Sequence, residues 1–241
     1  TEVAKLSKQR VRNGAAIVTR PETGEIIAMV GSKDYFAEDE DGKFNVVVSG
    51  KRQPGSSIKP LNYALALRDE RITAATAIAD VPTCFSVFGQ PLYCPGNYDN
   101  TYHGLIQARF ALGNSYNLPA VRVLALNGVE NFVPFAKDMG LITLTEPSNY
   151  GLSLTLGGGE VRPYDMAVAF GSLANGGIRQ DLISILKVED WKGKVYEEVD
   201  LEKIELSGER VLSPDVAFIV SHILHDNNAR SQAFVETSFL N

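Results

Sequence analysis

Ser56, Lys59, Ser115 and Asn117 are the residues of this chain whose types and spacing could do chemistry. A serine hydroxyl is a weak nucleophile until a base removes its proton, and Ser56-Ser57-Ile58-Lys59 offers a lysine three positions on. Residues three apart on a helix share one face, within hydrogen-bond reach. Pro54-Gly55 breaks the chain, and Pro60 is tolerated only in a helix's first turn. With Leu61, Ala64, Leu65 and Leu67 on one side, the pattern predicts a helix from near Ser56 to near Arg71. Its open N–H groups and positive dipole end would stabilise an alkoxide on Ser56 and disfavour a charge on Lys59. An exposed lysine stays protonated at neutral pH, so a base there must be buried or have cationic neighbours. The plainer reading is a capping serine with a surface lysine.

The same spacing recurs at Ser184 and Lys187, in a strand-like run where residues three apart face opposite ways. Ser115-Tyr116-Asn117 is the chain's single Ser-x-Asn. It reads as an extended linker between a helix ending near Gly113 and one beginning at Pro119, with Ser115 and Asn117 on one side and Tyr116 facing away. The alternative is an interhelical turn in which Asn117 caps the next helix.

Other motifs carry less. Gly157-Gly158-Gly159 lacks the Gly-Lys-Ser/Thr sequel of a phosphate loop, which favours a tight turn or close backbone approach at the catalytic cleft. His222, His225 and Asp226 could share a helix face, but His103 is the one further histidine, so neither a metal nor a cofactor is expected. Trp191 reads as a packing cap on a turn, and Glu38-Asp39-Glu40-Asp41 as a solvated loop. Cys84 and Cys94 either close a short loop as a disulfide or remain two reduced thiols.

The elements that must position these residues follow from patterning. Ala15–Thr19 and Glu25–Val30 around Pro21-Glu22-Thr23-Gly24 read as a hairpin, and Ile183–Val188 with Val195–Val199 as a second. Short helices fill the region from about Gln107 to Gly177, with Gly128 just past one helix end, and Pro214 to His225 reads as a last amphipathic helix. The expected class is α+β: an antiparallel sheet covered by helices, beside a mostly helical lobe, with the active site between them. A net charge of −6 over 241 residues, without a block of five like charges, argues against a nucleic-acid partner. No apolar run reaches the roughly 18 residues of a membrane-spanning helix. A start on Thr1 without methionine suggests an excised piece of a longer protein.

Ser-x-x-Lys with Ser-x-Asn resembles the penicillin-binding protein and serine β-lactamase superfamily. Arg52–Pro60, Leu154–Val161 and Phe170–Gly177 are similar to the corresponding stretches of bifunctional class A penicillin-binding proteins, and the likeness covers nearly the whole chain. The resemblance implies a DD-transpeptidase that cross-links peptidoglycan stem peptides through an acyl-enzyme formed at D-Ala-D-Ala, with β-lactams acylating the same serine. It implies Ser56 as nucleophile and, by its backbone N–H, oxyanion donor, Lys59 as base, Ser115 as proton relay, and Asn117 as a contact to the substrate amide. It further implies an incomplete transpeptidase domain over 1–241, made of a hairpin and loop (1–55), a mainly helical region (56–178) and a hairpin with a helix (179–241). A parent anchored at the outer face of the bacterial cytoplasmic membrane, with a preceding glycosyltransferase domain, goes with it. Tyr116 stands where class A lactamases have Asp. No Lys-Thr-Gly or Lys-Ser-Gly occurs, so the resemblance implies further C-terminal strands carrying it. A serine β-lactamase and a non-catalytic β-lactam sensor are the alternatives. Glu146-Pro147-Ser148-Asn149 is similar to the deacylating loop of class A lactamases, but a polar interhelical turn is the simpler reading.

Overall fold

The computed structural model describes residues 2–9, 11–38, 41–86 and 92–235. Asp39, Glu40 and residues 87–91 between the cysteines lie outside them. In chain order the helices are α1 (Glu2–Lys5), α2 (Val46–Ser49), α3 (Lys59–Arg68), α4 (Ala108–Gly113), α5 (Asn117–Asn127), α6 (Val129–Asp138), α7 (Pro163–Ala174), α8 (Leu201–Ser207), α9 (Pro214–His225) and α10 (Asn227–Phe234). The strands are β1 (Ala16–Thr19), β2 (Ile26–Val30), β3 (Ala77–Asp80), β4 (Gly104–Gln107), β5 (Ile178–Arg179), β6 (Lys187–Glu189), β7 (Val195–Glu198) and β8 (Glu209–Arg210). The architecture is α+β, and among the described residues the strands form antiparallel pairs β1–β2, β3–β4, β5–β8 and β6–β7. None of the described helices is long and apolar enough to cross a membrane.

The chain divides into two compact units: Thr1–Arg52, Lys137–Thr143 and Glu160–Leu212 in one, and Gln53–Ala136, Leu144–Gly159 and Ser213–Asn241 in the other. In the first, β1 and β2 are joined through Gly24, whose φ of +76° suits glycine. Glu25 is buried there and accepts from Arg20 and Thr23, each at 2.8 Å. β6 and β7 form the second hairpin, shorter than expected, and Trp191 at its turn is 89% exposed. Lys192 Nζ lies 4.9 Å from the centre of its ring, and at this exposure it caps no core.

The second unit holds all four candidate residues and is built around α3. This helix is buried almost all round, not on one side as its leucines suggest, with every residue from Lys59 to Ala66 out of solvent. Tyr63 and Ala66 share a core with Ile78, Leu112, Val123 and Ile223. A central helix needs partners for its polar groups. Asn62 Nδ2 donates to Ala120 O at 2.9 Å and Thr155 Oγ1 at 3.0 Å, while Asn127 Nδ2 donates to Asn62 Oδ1 at 2.8 Å. These bonds fix α3 to α5 and to the 3₁₀ turn Leu152–Leu156. α3 stops at Arg68, three residues short of the expectation, because Glu70 turns left-handed at φ +54°. That turn lets the Arg71 N–H close back onto Ala66 O at 2.9 Å. α9 has the expected limits, but α10 follows it at once, started by Asp226, which caps Asn228 and Ala229.

Cys84 and Cys94 are joined as a disulfide across 10 residues of sequence separation. A loop of this size is stabilised by about 2–3 kcal/mol when cross-linked. The intact mass should rise by two hydrogens on reduction, and a thiol reagent should label neither cysteine before it; labelling of both without reductant refutes the pairing.

Candidate active site

Ser56 and Ser57 lie in a 3₁₀ turn, Gly55–Ile58, that leads directly into α3. Lys59 therefore opens the α-helix, and its backbone N–H donates to Ser56 O. The adjacent serines differ in what their hydroxyls do. Ser57 Oγ donates to Pro54 O at 2.6 Å, whereas Ser56 is exposed and its Oγ makes no hydrogen bond among the described residues. Gly157 holds the turn from the other side. A Cβ built on it would stand 2.3 Å from Gly55 N, and its φ is +93°, so only glycine fits.

Lys59 is 1% exposed and its ammonium is held by three oxygens. It donates to Ser115 O at 2.6 Å, Asn117 Oδ1 at 2.8 Å and Ser115 Oγ at 3.2 Å. Among the described residues no hydrogen bond joins Lys59 Nζ to Ser56 Oγ, so the side-chain bond that the sequence spacing suggests is not formed. Burial lowers the Lys59 pKa from the ordinary 10.5 to about 7. The unfolded chain thus binds a proton that the folded chain lacks between about 7 and 10.5, and this residue's contribution makes stability rise with pH across that window. Of the three acceptors, the carbonyl and the amide oxygen can only accept; the Ser115 hydroxyl can reverse its bond and donate to a neutral amine.

The geometry of Ser115-Tyr116-Asn117 differs from an extended linker. Ser115 has φ +58°, in the left-handed region, and Asn117 is already the first residue of α5. Ser115 N–H donates to Leu112 O at 2.9 Å and Tyr116 N–H to Ala111 O at 3.0 Å, the paired bonds that close a helix when its next residue turns left-handed. Glycine usually occupies that position; a serine there carries strain of roughly 1–3 kcal/mol and persists only where its surroundings hold it. Asn114 supplies that hold, with Nδ2 on Ala229 O at 2.7 Å and Oδ1 accepting from Ala233 N–H at 2.9 Å. Tyr116 does face away from the lysine. It is buried, donates to Gln232 Oε1 at 2.9 Å and stacks on His103 at 4.0 Å.

Asn117 has both ends of its amide engaged, Oδ1 by Lys59 and Nδ2 by Gly96 O at 2.9 Å. Asn97 Oδ1 accepts from the N–H groups of Asn117 at 2.8 Å and Leu118 at 3.3 Å, capping α5 from 20 residues away. Neither Asn97 nor Asn114 stood out in the sequence. The remaining candidates play structural parts. Lys187 pairs with Glu189 at 2.8 Å and Ser184 lies outside any strand, so that pair forms no site. Arg109 binds Asp226 at 2.8 Å and His222 Nδ1 at 3.2 Å. Glu146 precedes the short turn Pro147–Asn149 and bonds to none of the four site residues.

The family model described as penicillin binding protein transpeptidase domain matches residues 14–237. The chain belongs to this family. Penicillin-binding protein 4 of Bacillus subtilis is 35% identical over 79% of this chain and 29% of its own length. Penicillin-binding protein 1A of Neisseria meningitidis is 31% identical over 88% of this chain and 26% of its own length. The crystal structure of penicillin-binding protein 1A from Haemophilus influenzae superposes with a TM-score of 0.77 at 27% identity, covering 90% of this chain and 35% of that one. This transpeptidase-family chain thus spans between a quarter and a third of the length of the curated relatives it matches.

The strain at Ser115 can be separated from its hydroxyl. Ser115→Gly and Ser115→Ala both remove the hydroxyl, but only glycine relieves a positive φ. The glycine variant should be the more stable of the two by about 1 kcal/mol in denaturant unfolding; equal stabilities would contradict a strained turn.

Proposed function

We propose that this protein is a serine acyltransferase, a peptidoglycan DD-transpeptidase that β-lactams acylate at the same residue. The observation that carries the reading is the buried Lys59 amine, poised near neutrality and held against Ser115 and Asn117. A lysine in the histidine's place is an established variant of hydrolase triads. Names of the relatives support the penicillin side of the reading.

In the proposed reaction Ser56 Oγ attacks the carbonyl carbon between the two D-alanines, and its proton passes to neutral Lys59 Nζ. The backbone N–H of Ser56 would help hold the oxyanion. The C–N bond then breaks, the leaving amine takes the proton through the Ser115 hydroxyl, and terminal D-alanine departs from a Ser56 ester. An acceptor amine on a neighbouring stem peptide attacks that ester, forming the cross-link and restoring the Ser56 hydroxyl. A β-lactam follows the first half alone, since its amine stays tethered after ring opening. Asn117 Nδ2 would turn from Gly96 O to a substrate carbonyl. The missing hydrogen bond between Ser56 Oγ and Lys59 Nζ fits this scheme, because catalytic hydrogen bonds commonly tighten only in the substrate complex. The site of action would be peptidoglycan outside the cytoplasmic membrane, within a larger class A protein that also carries a glycosyltransferase. Support for that parent is the relatives' length, three to four times the matched region.

Fluorescent penicillin should label one peptide, at Ser56; Ser56→Ala should abolish labelling, and Ser57→Ala should keep it. Label mapping to any other residue sinks the assignment. Because the base must be neutral, the acylation rate should rise with pH and level off above a midpoint of about 7. Lys59→Arg, always charged, should lose about 10²–10⁴-fold. A flat profile through neutrality would remove Lys59 from the base role. Stable acylation together with transfer of a stem peptide to an amine acceptor separates the transpeptidase from a β-lactamase, which would deacylate at once, and from a sensor, which would transfer nothing.

A further inference from the structure

Asp80, at the end of β3, is fully buried, and no lysine or arginine pairs with it among the described residues. Four hydrogen bonds hold it instead. Asn97 Nδ2 donates to both carboxylate oxygens, at 2.8 and 2.9 Å. The backbone N–H of His103 reaches Oδ2 at 3.0 Å and the ring Nδ1 at 2.7 Å. The other ionisable groups around it are Tyr63, Tyr116 and, beyond His103, Asp99. None of these hydrogen-bonds to Ser56 or Lys59 among the described residues, and the proposed reaction does not use them.

A carboxylate only accepts, so it fixes which end of the Asn97 amide faces it. With Nδ2 turned to Asp80, Asn97 Oδ1 must face the other way, onto the open N–H groups of Asn117 and Leu118. α5 has no capping side chain of its own, because Tyr116 stands in that position. The next residue back repeats the logic. Gly96 O takes Asn117 Nδ2, which leaves Asn117 Oδ1 for Lys59. Asp80, with Thr101 O at 2.9 Å, thus orients the Asn97 amide that caps α5, and Gly96 O orients the Asn117 amide whose oxygen meets the lysine ammonium.

We infer that Asp80 and Asn97 are positioning residues for the acyl transfer, a buried relay in which Asp80 orients Asn97 and Asn97 fixes the start of α5 from which the Asn117 amide reaches Lys59. The inference rests on Lys59 being the base of the proposed reaction. If Asn97 is lost, α5 starts uncapped and the Asn117 oxygen is free to leave the lysine. An ammonium that loses an acceptor is harder to keep charged, so its midpoint must fall.

The test follows the Lys59 amine by NMR in ¹⁵N-lysine-labelled protein, with its signal assigned by loss in Lys59→Arg, alongside the rate of penicillin acylation. Asn97→Ala should lower the Lys59 midpoint by about one unit, a tenfold change in its protonation equilibrium, and slow acylation about tenfold. Asp80→Asn should move both in the same direction. Phe135→Leu, a core change matched for thermal destabilisation, should move neither. A folded Asn97→Ala protein with unchanged midpoint and rate overturns the relay. So does a shift in Asp80→Asn without one in Asn97→Ala, since only the former removes a charge and the field of the carboxylate would then suffice. If the midpoint falls in Asn97→Ala while the wild type takes no penicillin, the relay stands and the transpeptidase reading fails.

Discussion

Everything at the site depends on an ammonium group being taken out of water. Lys59 opens a helix whose first two turns are buried throughout, and burying a cation is costly unless oxygens replace its hydration. Three oxygens do so, all from one turn of three residues. The balance leaves the amine close to losing its proton near neutrality. More exposure would restore an ordinary lysine; fewer acceptors would leave an amine neutral well below pH 7 and a poor proton carrier.

The rest of the second unit can be understood as holding that turn. The left-handed Ser115 directs both its carbonyl and its hydroxyl to the lysine, a conformation that a short interhelical loop would not keep unaided. Anchors come from both flanks, with Asn114 tied to α10 before it and Asn117 tied to Gly96 and Asn97 after it. The buried Asn62–Asn127 pair locks α3, which carries the lysine, to α5, which carries Asn117. Polar groups in this core therefore specify the relative placement of two helices, which apolar packing alone would leave free to slide.

Much of this was legible from residue type. Pro60 and Gly128 mark one helix start and one helix end, as their missing N–H and positive φ require. Of the four candidate residues, Lys59, Ser115 and Asn117 meet at Lys59 Nζ. What misled was local geometry. Ser115 hides a left-handed turn because the residue that advertises such a turn is glycine, and the side chains of Ser115 and Asn117 converge through that turn and not through strand-like alternation. The buried circumference of α3 was also invisible, since its polar residues look like an exposed face until Asn62 and Lys59 are seen with their partners. Asn97 acts across 20 residues of chain, a distance over which no capping pattern can be read.

The backbone-to-backbone packing of Gly157 on Gly55 has a mechanical consequence. Side chains absorb displacement by changing rotamer, but two peptide planes in contact have nothing that yields. The 3₁₀ segment Leu152–Leu156 and the turn bearing Ser56 must then move together or not at all. Anything that stiffens the first, a bound peptide included, also stiffens the backbone that carries the Ser56 hydroxyl.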